Sequence, residues 1–143
     1  MTDRQPRITI AEFDEIHHDA GPFTERFGFV TEHIGYGEVR VRLPFDKGHL
    51  RAGGTISGPA MMALADYTFY AVVLGMIGKI ENAVTSNLNI HFLRRPEPVD
   101  LVAYGTIIKL GKRLAVCEAT ILTEGGDDPV AHVTGTYSIP PER

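Results

Sequence analysis

The chain has 143 residues, 43% of them hydrophobic and 22% charged, with 18 acidic residues against 14 basic ones and a single cysteine. That length allows one core and is too short for two, so a single domain over 1–143 is expected. The mild acidic excess argues against a polyanion-wrapping or membrane-adhering surface, and neither nucleic acid nor membrane is expected as a partner. Cys117 has no partner for an intramolecular disulfide, and no apolar stretch follows the charges of residues 1–7, so the expected location is the cytoplasm.

Along the chain, Ile8, Ile10, Phe13 and Ile16 alternate with Glu12, Asp14 and Glu15. This predicts a short amphipathic helix over about 8–19, a lid or flank closed by Ala20-Gly21-Pro22. Residues 27–31 and 38–45 read as strands. In the second, Val39, Val41, Leu43 and Phe45 alternate with Glu38, Arg40 and Arg42, the pattern of a strand with one buried face. A glycine-bearing loop, 46–54, leads into a helix predicted from about Ser57 to Ile77. Ser57 is placed to cap it, and Pro59 falls in the first turn, where a missing N–H costs no intrahelical bond.

This helix is apolar nearly all round, which requires that it be wrapped rather than docked on one side. Asp66 at its middle speaks against a membrane span. Four strand-like runs follow, 84–93, 101–110, 114–123 and 130–139, separated by turns at Arg95-Pro96-Glu97-Pro98, Gly111-Lys112 and Gly125-Gly-Asp-Asp-Pro129. One long helix followed by antiparallel strands is an α+β plan, a sheet curled around a central helix.

Asp66 is the residue that needs a chemical account, because a carboxylate among Leu64, Ala65, Phe69 and Ala71 must find partners. It is either a structural tie or a reactive group. A second candidate is the helix start at Ser57-Gly58, where free N–H groups and the positive end of the helix dipole converge, with no side chain at 58 to obstruct approach. An ordinary capped terminus has the same pattern. Eight residues separate Gly58 from Asp66, about 12 Å along a helix. They can act on one carbonyl only if they come from two subunits, which predicts a dimer with two equivalent sites.

The histidines carry less. His17 and His18 diverge on a helix and read as surface residues, while His49, His91 and His132 are scattered without ligand spacing. No metal is expected. Phosphate-loop and serine-elbow patterns are absent. Arg94, Arg95, Lys109, Lys112 and Arg113 gather at strand ends, either to meet phosphates or as solvated charges.

Gly53-Gly-Thr-Ile-Ser-Gly-Pro-Ala-Met-Met-Ala-Leu-Ala-Asp66 and Val84-Thr-Ser-Asn-Leu-Asn-Ile-His-Phe-Leu-Arg-Arg-Pro96 resemble the two signature segments of the phenylacetate-type (PaaI-like) branch of the hotdog thioesterase superfamily, a resemblance that extends over 27–139. It implies a hotdog fold and an acyl-CoA thioesterase acting on a short-chain, medium-chain or aryl acyl group. Asp66 would be general base or nucleophile, the Gly58 N–H would polarise the thioester carbonyl, and Thr85 would position acid or water. The Gly111-Lys112-Arg113 turn is similar to a family segment that meets CoA phosphates; Lys112 and Arg113, with the strand-end Arg94 and Arg95, are therefore the expected CoA-binding residues, and the apolar Met61, Met62 and Tyr70 would hold the acyl group. Coenzyme A enters only as part of the substrate, and no cofactor is implied. The assembly would be a homodimer or a dimer of dimers. Three positions depart from the family pattern: Ser57 and Pro59 replace the His and second Gly of a His-Gly-Gly motif, and Arg51 stands where an Asn or Gln is usual. His49, Arg51 and Ser57 are therefore the candidates for positioning water or substrate. Two alternatives stay open: an acyl-CoA-binding module without turnover, and a hotdog hydratase or dehydratase. The latter carries a His five residues after the acid, where this chain has Ala71.

Overall fold

A computed structural model describes residues 4–18 and 22–141. Helices α1 (Ile10–His18) and α2 (Pro22–Phe27) precede strands β1 (Val30–Gly35) and β2 (Glu38–Leu43). The long helix α3 (Gly58–Ile77) follows, then β3 (Val84–Phe92), β4 (Leu101–Leu110), β5 (Leu114–Thr123) and β6 (Ala131–Ser138). The six strands form one antiparallel sheet in the order β1-β2-β4-β5-β6-β3, packed around α3. This is the α+β arrangement expected from the sequence. Although α3 has the length and hydropathy to cross a membrane, most of it is buried within the molecule.

Both ends of α3 are set locally. The Ser57 hydroxyl accepts from the Ala60 N–H at 3.2 Å, with Pro59 in the first turn. At the far end Gly78, at φ +90°, donates its N–H to the Leu74 carbonyl at 2.8 Å. Helix α1 opens on a reciprocal cap: Glu12 N–H donates to the Thr9 hydroxyl at 3.1 Å and Thr9 N–H to the Glu12 carboxylate at 3.0 Å. Its predicted end at Asp19 and the stop at Ala20-Gly21 lie outside the described residues.

The extended reading of 27–31 needs correction at its start. Phe27 ends α2, Gly28 turns the chain at φ +70°, and the strand begins only at Val30. Tertiary packing decides this: Phe23 and Phe27, one helical turn apart, meet at 5.3 Å, and the Phe27 ring stacks between Phe29 and His49.

The sheet approaches α3 closely because its concave face is built from small residues, among them Ala103, Gly105, Ala115, Ala119, Ala131 and Gly135. A β-carbon on Gly135 would lie 2.6 Å from the Phe69 ring, and one on Gly105 would lie 2.6 Å from the Thr68 methyl. Both contacts are on α3, so these glycines set the helix-to-sheet spacing. The β3 edge is different: nine residues long, it pairs only with β6 on one side, and Val84 and Phe92 are more than half exposed.

Gly135→Ala is expected to destabilise the protein by about 1–3 kcal/mol through overpacking against Phe69. Thermal melting reads this directly, and an unchanged midpoint would show that the helix can retreat from the sheet at no cost.

Candidate active site

Asp66 lies between buried Ala65 and Tyr67 yet is only partly buried itself, because α3 exposes this turn to a cavity of about 730 Å³. Two hydroxyls hold one of its oxygens. Thr85 Oγ1 donates to Asp66 Oδ1 at 2.6 Å, and the Tyr137 hydroxyl donates to the same oxygen at 2.8 Å and lies 3.1 Å from the Asp66 carbonyl oxygen. Among the described residues no hydrogen bond falls on Oδ2, although the carboxylate as a whole lines the cavity.

A defect in the sheet brings the two hydroxyls together. Counting back from Ile90, the strand period of two turns Leu88 inward, opposite Gly135, and would turn Thr85 outward. The register of β3 on β6 slips between Thr85 and Asn87, so Ser86 is an inserted residue and Thr85 lies directly opposite Tyr137. Leu88, Thr85 and Tyr137 consequently line the same cavity. Burial, together with the nearby charge of Asp66, pushes the Tyr137 phenol well above the usual tyrosine range, so it remains a protonated donor.

Aromatic rings form much of the remaining wall: Phe23, Phe29, Tyr67 and Tyr70, with Met62 and His17. The reading of His17 as a surface residue is corrected here. Its ring packs on Phe13, Tyr67 and Tyr70, drawn in by the aromatic cluster beneath α1, and Nδ1 donates to the Phe13 carbonyl at 3.0 Å. That bond places the proton on Nδ1 and leaves Nε2 as an acceptor in the neutral ring. Tyr70 lines the cavity while its hydroxyl donates to the Glu81 carbonyl at 2.9 Å.

Gly58 opens onto a second cavity of about 410 Å³, lined also by Arg51, Met61, Phe92, Arg94 and Arg95. Met61 therefore sits apart from Met62 and Tyr70. The Phe92 ring lies 3.3 Å from where a β-carbon on Gly58 would stand, so this glycine leaves room for the ring at the helix start. Arg94 is partly engaged, its Nε donating to the Pro129 carbonyl at 3.3 Å. Within one protomer Gly58 and Asp66 face different cavities, as their separation on α3 requires.

The other basic candidates lie elsewhere. Lys112 and Arg113 line a third cavity of about 500 Å³ together with Arg7, and Arg113 Nε donates to the Ile139 carbonyl at 3.2 Å. Ser57 caps α3. His49 is buried, stacks on Phe27 and lines none of the three cavities. Among the described residues, no three His, Cys, Asp or Glu side chains gather as a metal site.

Sequence reasoning placed Met62 and Tyr70 in this wall but missed Tyr137 and the rings of Phe23, Phe29 and Tyr67. The one signal for Tyr137 was parity: Ala131, Val133, Gly135 and Tyr137 alternate with polar residues, which puts a hydroxyl-bearing ring on the core face.

Comparison with known proteins adds the family. The sequence profile of the thioesterase superfamily matches residues 53–130, more than half of the chain. A Silicibacter protein provisionally named a thioesterase has 38% identity and a TM-score of 0.85, covering 96% of each chain. A variant of the phenylacetic acid degradation protein PaaI of Thermus thermophilus has 27% identity and a TM-score of 0.74 over 84% of this chain and 100% of its own. A Streptococcus pneumoniae protein, hypothetically named a thioesterase and solved with coenzyme A, shares the fold at 22% identity, with a TM-score of 0.77 over 92% and 98% of the two chains.

Deleting Ser86 removes the inserted residue and makes Thr85 the ladder neighbour of Asn87, so strict alternation is expected to return with Thr85 still opposite Tyr137 and bonded to Asp66. A crystal structure of the deletion variant with the Thr85 hydroxyl turned away from Oδ1 would show that the ladder position opposite Tyr137 does not aim it.

Proposed function

The chain belongs to the thioesterase superfamily and is a thioester hydrolase of the hotdog fold, and from that premise we propose that it hydrolyses an acyl-CoA at a site shared between two subunits, with Asp66 of one facing Gly58 of the other. The observation that carries this reading is the Asp66 carboxylate itself, which stands on an otherwise apolar helix with Oδ1 held by two hydroxyls and lines a cavity of ligand size.

In the proposed reaction the thioester carbonyl accepts the Gly58 N–H at the positive end of α3. Asp66 Oδ2 takes a proton from water as that water attacks the carbonyl carbon. The tetrahedral oxyanion collapses, the carbon–sulfur bond breaks, and the CoA thiolate leaves and recovers the proton. The second route is direct attack by the same oxygen on the carbonyl carbon, expelling the CoA thiolate and giving a mixed anhydride that water then opens at the Asp66 carbonyl carbon. Single turnover in ¹⁸O-labelled water distinguishes the two, since only the anhydride route leaves the first-turnover label bound to Asp66.

The free β3 edge supports the dimer. A nine-residue strand with exposed Val84 and Phe92 offers unpaired backbone groups and apolar surface to a second copy. Pairing there brings the Gly58 cavity of one subunit toward the Asp66 cavity of the other. Arg94 and Arg95, with Arg51 where an amide is usual, then flank the entrance as cations for the CoA diphosphate. The structural neighbour that holds coenzyme A has the same fold. Lys112 and Arg113 are assigned to the more distant parts of the CoA portion of the substrate. Rings of Phe29, Tyr67 and Tyr70 favour an aryl or compact apolar acyl group over a long chain.

Thiol release from a panel of short-chain, medium-chain and aryl acyl-CoAs tests the reaction. Asp66→Asn is expected to lower kcat by ~10²–10⁴-fold and to retain binding of a non-hydrolysable CoA analogue. Binding without hydrolysis by the wild type would replace this reading with that of a binding module.

Gly58→Pro removes the N–H at a position where helices accept proline and is expected to cost ~10²–10³-fold in kcat, a loss well beyond that of Gly58→Ala, which keeps the N–H and adds the same β-carbon against Phe92. Mixing the two inactive variants tests the shared site. Statistical exchange of subunits restores one intact site to each mixed dimer, about a quarter of wild-type activity. No recovery after demonstrated exchange would overturn the shared site and with it the role of the Gly58 N–H.

A further inference from the structure

We propose that Tyr137 is a positioning residue for the hydrolytic step: together with Thr85 it clamps Oδ1 of Asp66, leaving Oδ2 as the oxygen that acts on water or on the acyl carbon. This rests on the thioesterase reading of the site and deepens it. The last strand carries the residue, far in sequence from both signature segments.

Three observations support it. First, the Tyr137 hydroxyl reaches both the Asp66 carboxylate, at 2.8 Å, and the Asp66 carbonyl oxygen, at 3.1 Å. It therefore references the side chain to its own backbone and restricts rotation of the carboxylate about the Cα–Cβ bond. Second, Thr85 stands directly opposite Tyr137 on the neighbouring strand and donates to the same oxygen at 2.6 Å. Two donors converging on Oδ1 leave Oδ2 as the oxygen with open lone pairs. Third, Tyr137 is 3% exposed, between Ala115 on β5 and Thr85 on β3, so its ring is held by the sheet rather than by the substrate.

A donor committed in this way has little to offer the substrate, which separates two kinetic constants. Removing it loosens the reacting oxygen without removing a substrate contact, so kcat falls and KM does not rise. The phenol stays protonated because burial and the Asp66 charge both oppose its ionisation, and the clamp therefore holds across the working pH range.

The test is Tyr137→Phe, which keeps the ring and removes one oxygen, assayed beside the wild type, Thr85→Val and Asp66→Asn on the best acyl-CoA of the panel. Melting temperature and binding of a non-hydrolysable CoA analogue are measured in parallel. The expected result is a ~10–100-fold loss in kcat with KM and analogue binding within about twofold of wild type, and a loss of similar kind in Thr85→Val. The proposal is overturned if Tyr137→Phe turns over within about twofold of wild type, if its loss falls in KM, or if the variant does not fold, since the hydroxyl is then a structural strut. A wild type inactive on every acyl-CoA, or an Asp66→Asn as active as wild type, would instead defeat the function on which this inference rests, and the two failures are told apart in the same assay.

Discussion

A carboxylate on an apolar helix has to be solvated by the protein, and much of the site follows from how that is done here. Asp66 points from α3 toward the junction of β3 and β6, where Thr85 and Tyr137 supply the donors. A hydrogen bond to a charged acceptor contributes about 1.5–3 kcal/mol, and an unpaired buried carboxylate costs more than that. The two hydroxyls satisfy one oxygen and leave the other at the cavity wall. A polar group that stabilises the fold and a group with a free reactive oxygen are thus the same residue.

The close fit of sheet to helix makes this possible. Glycines at 105 and 135 and alanines along β4, β5 and β6 let the concave face press onto α3, which brings the Tyr137 hydroxyl within reach of the helix backbone. Larger residues at those positions would push the strands outward and break the reach. The cost of this packing is paid in glycine flexibility, and the return is a rigid frame around Asp66.

Strand β3 serves three ends at once. Its bulge aims Thr85 inward, its far end lays Phe92 over Gly58, and its outer edge is open. On the proposed reading the same strand joins the two subunits, so a change in its register would move the acid, the carbonyl site and the interface together. The aromatic cluster of Phe13, His17, Tyr67 and Tyr70 closes the cavity from the side of α1.

The long helix with its Ser57 cap, the four later strands along the chain, the wrapped architecture and the position of Asp66 were all legible in the amino-acid sequence, because each follows from local chemistry: apolar periodicity, a capping hydroxyl and a charge out of place. The separation of Gly58 from Asp66 was equally fixed by the rise of a helix. What the sequence left open depends on which strands become neighbours. That β3 pairs with β6 rather than β4, that Ser86 bulges and so turns Thr85 inward, and that Tyr137 faces it across the ladder are outcomes of long-range pairing. The division of the arginines and lysines between two cavities, the packing of His17 among aromatic rings and the helical turn at Phe27 were decided in the same way. Their local signals are weak, and the contacts that settle them join residues distant in the chain, brought together only when the sheet closes around the helix.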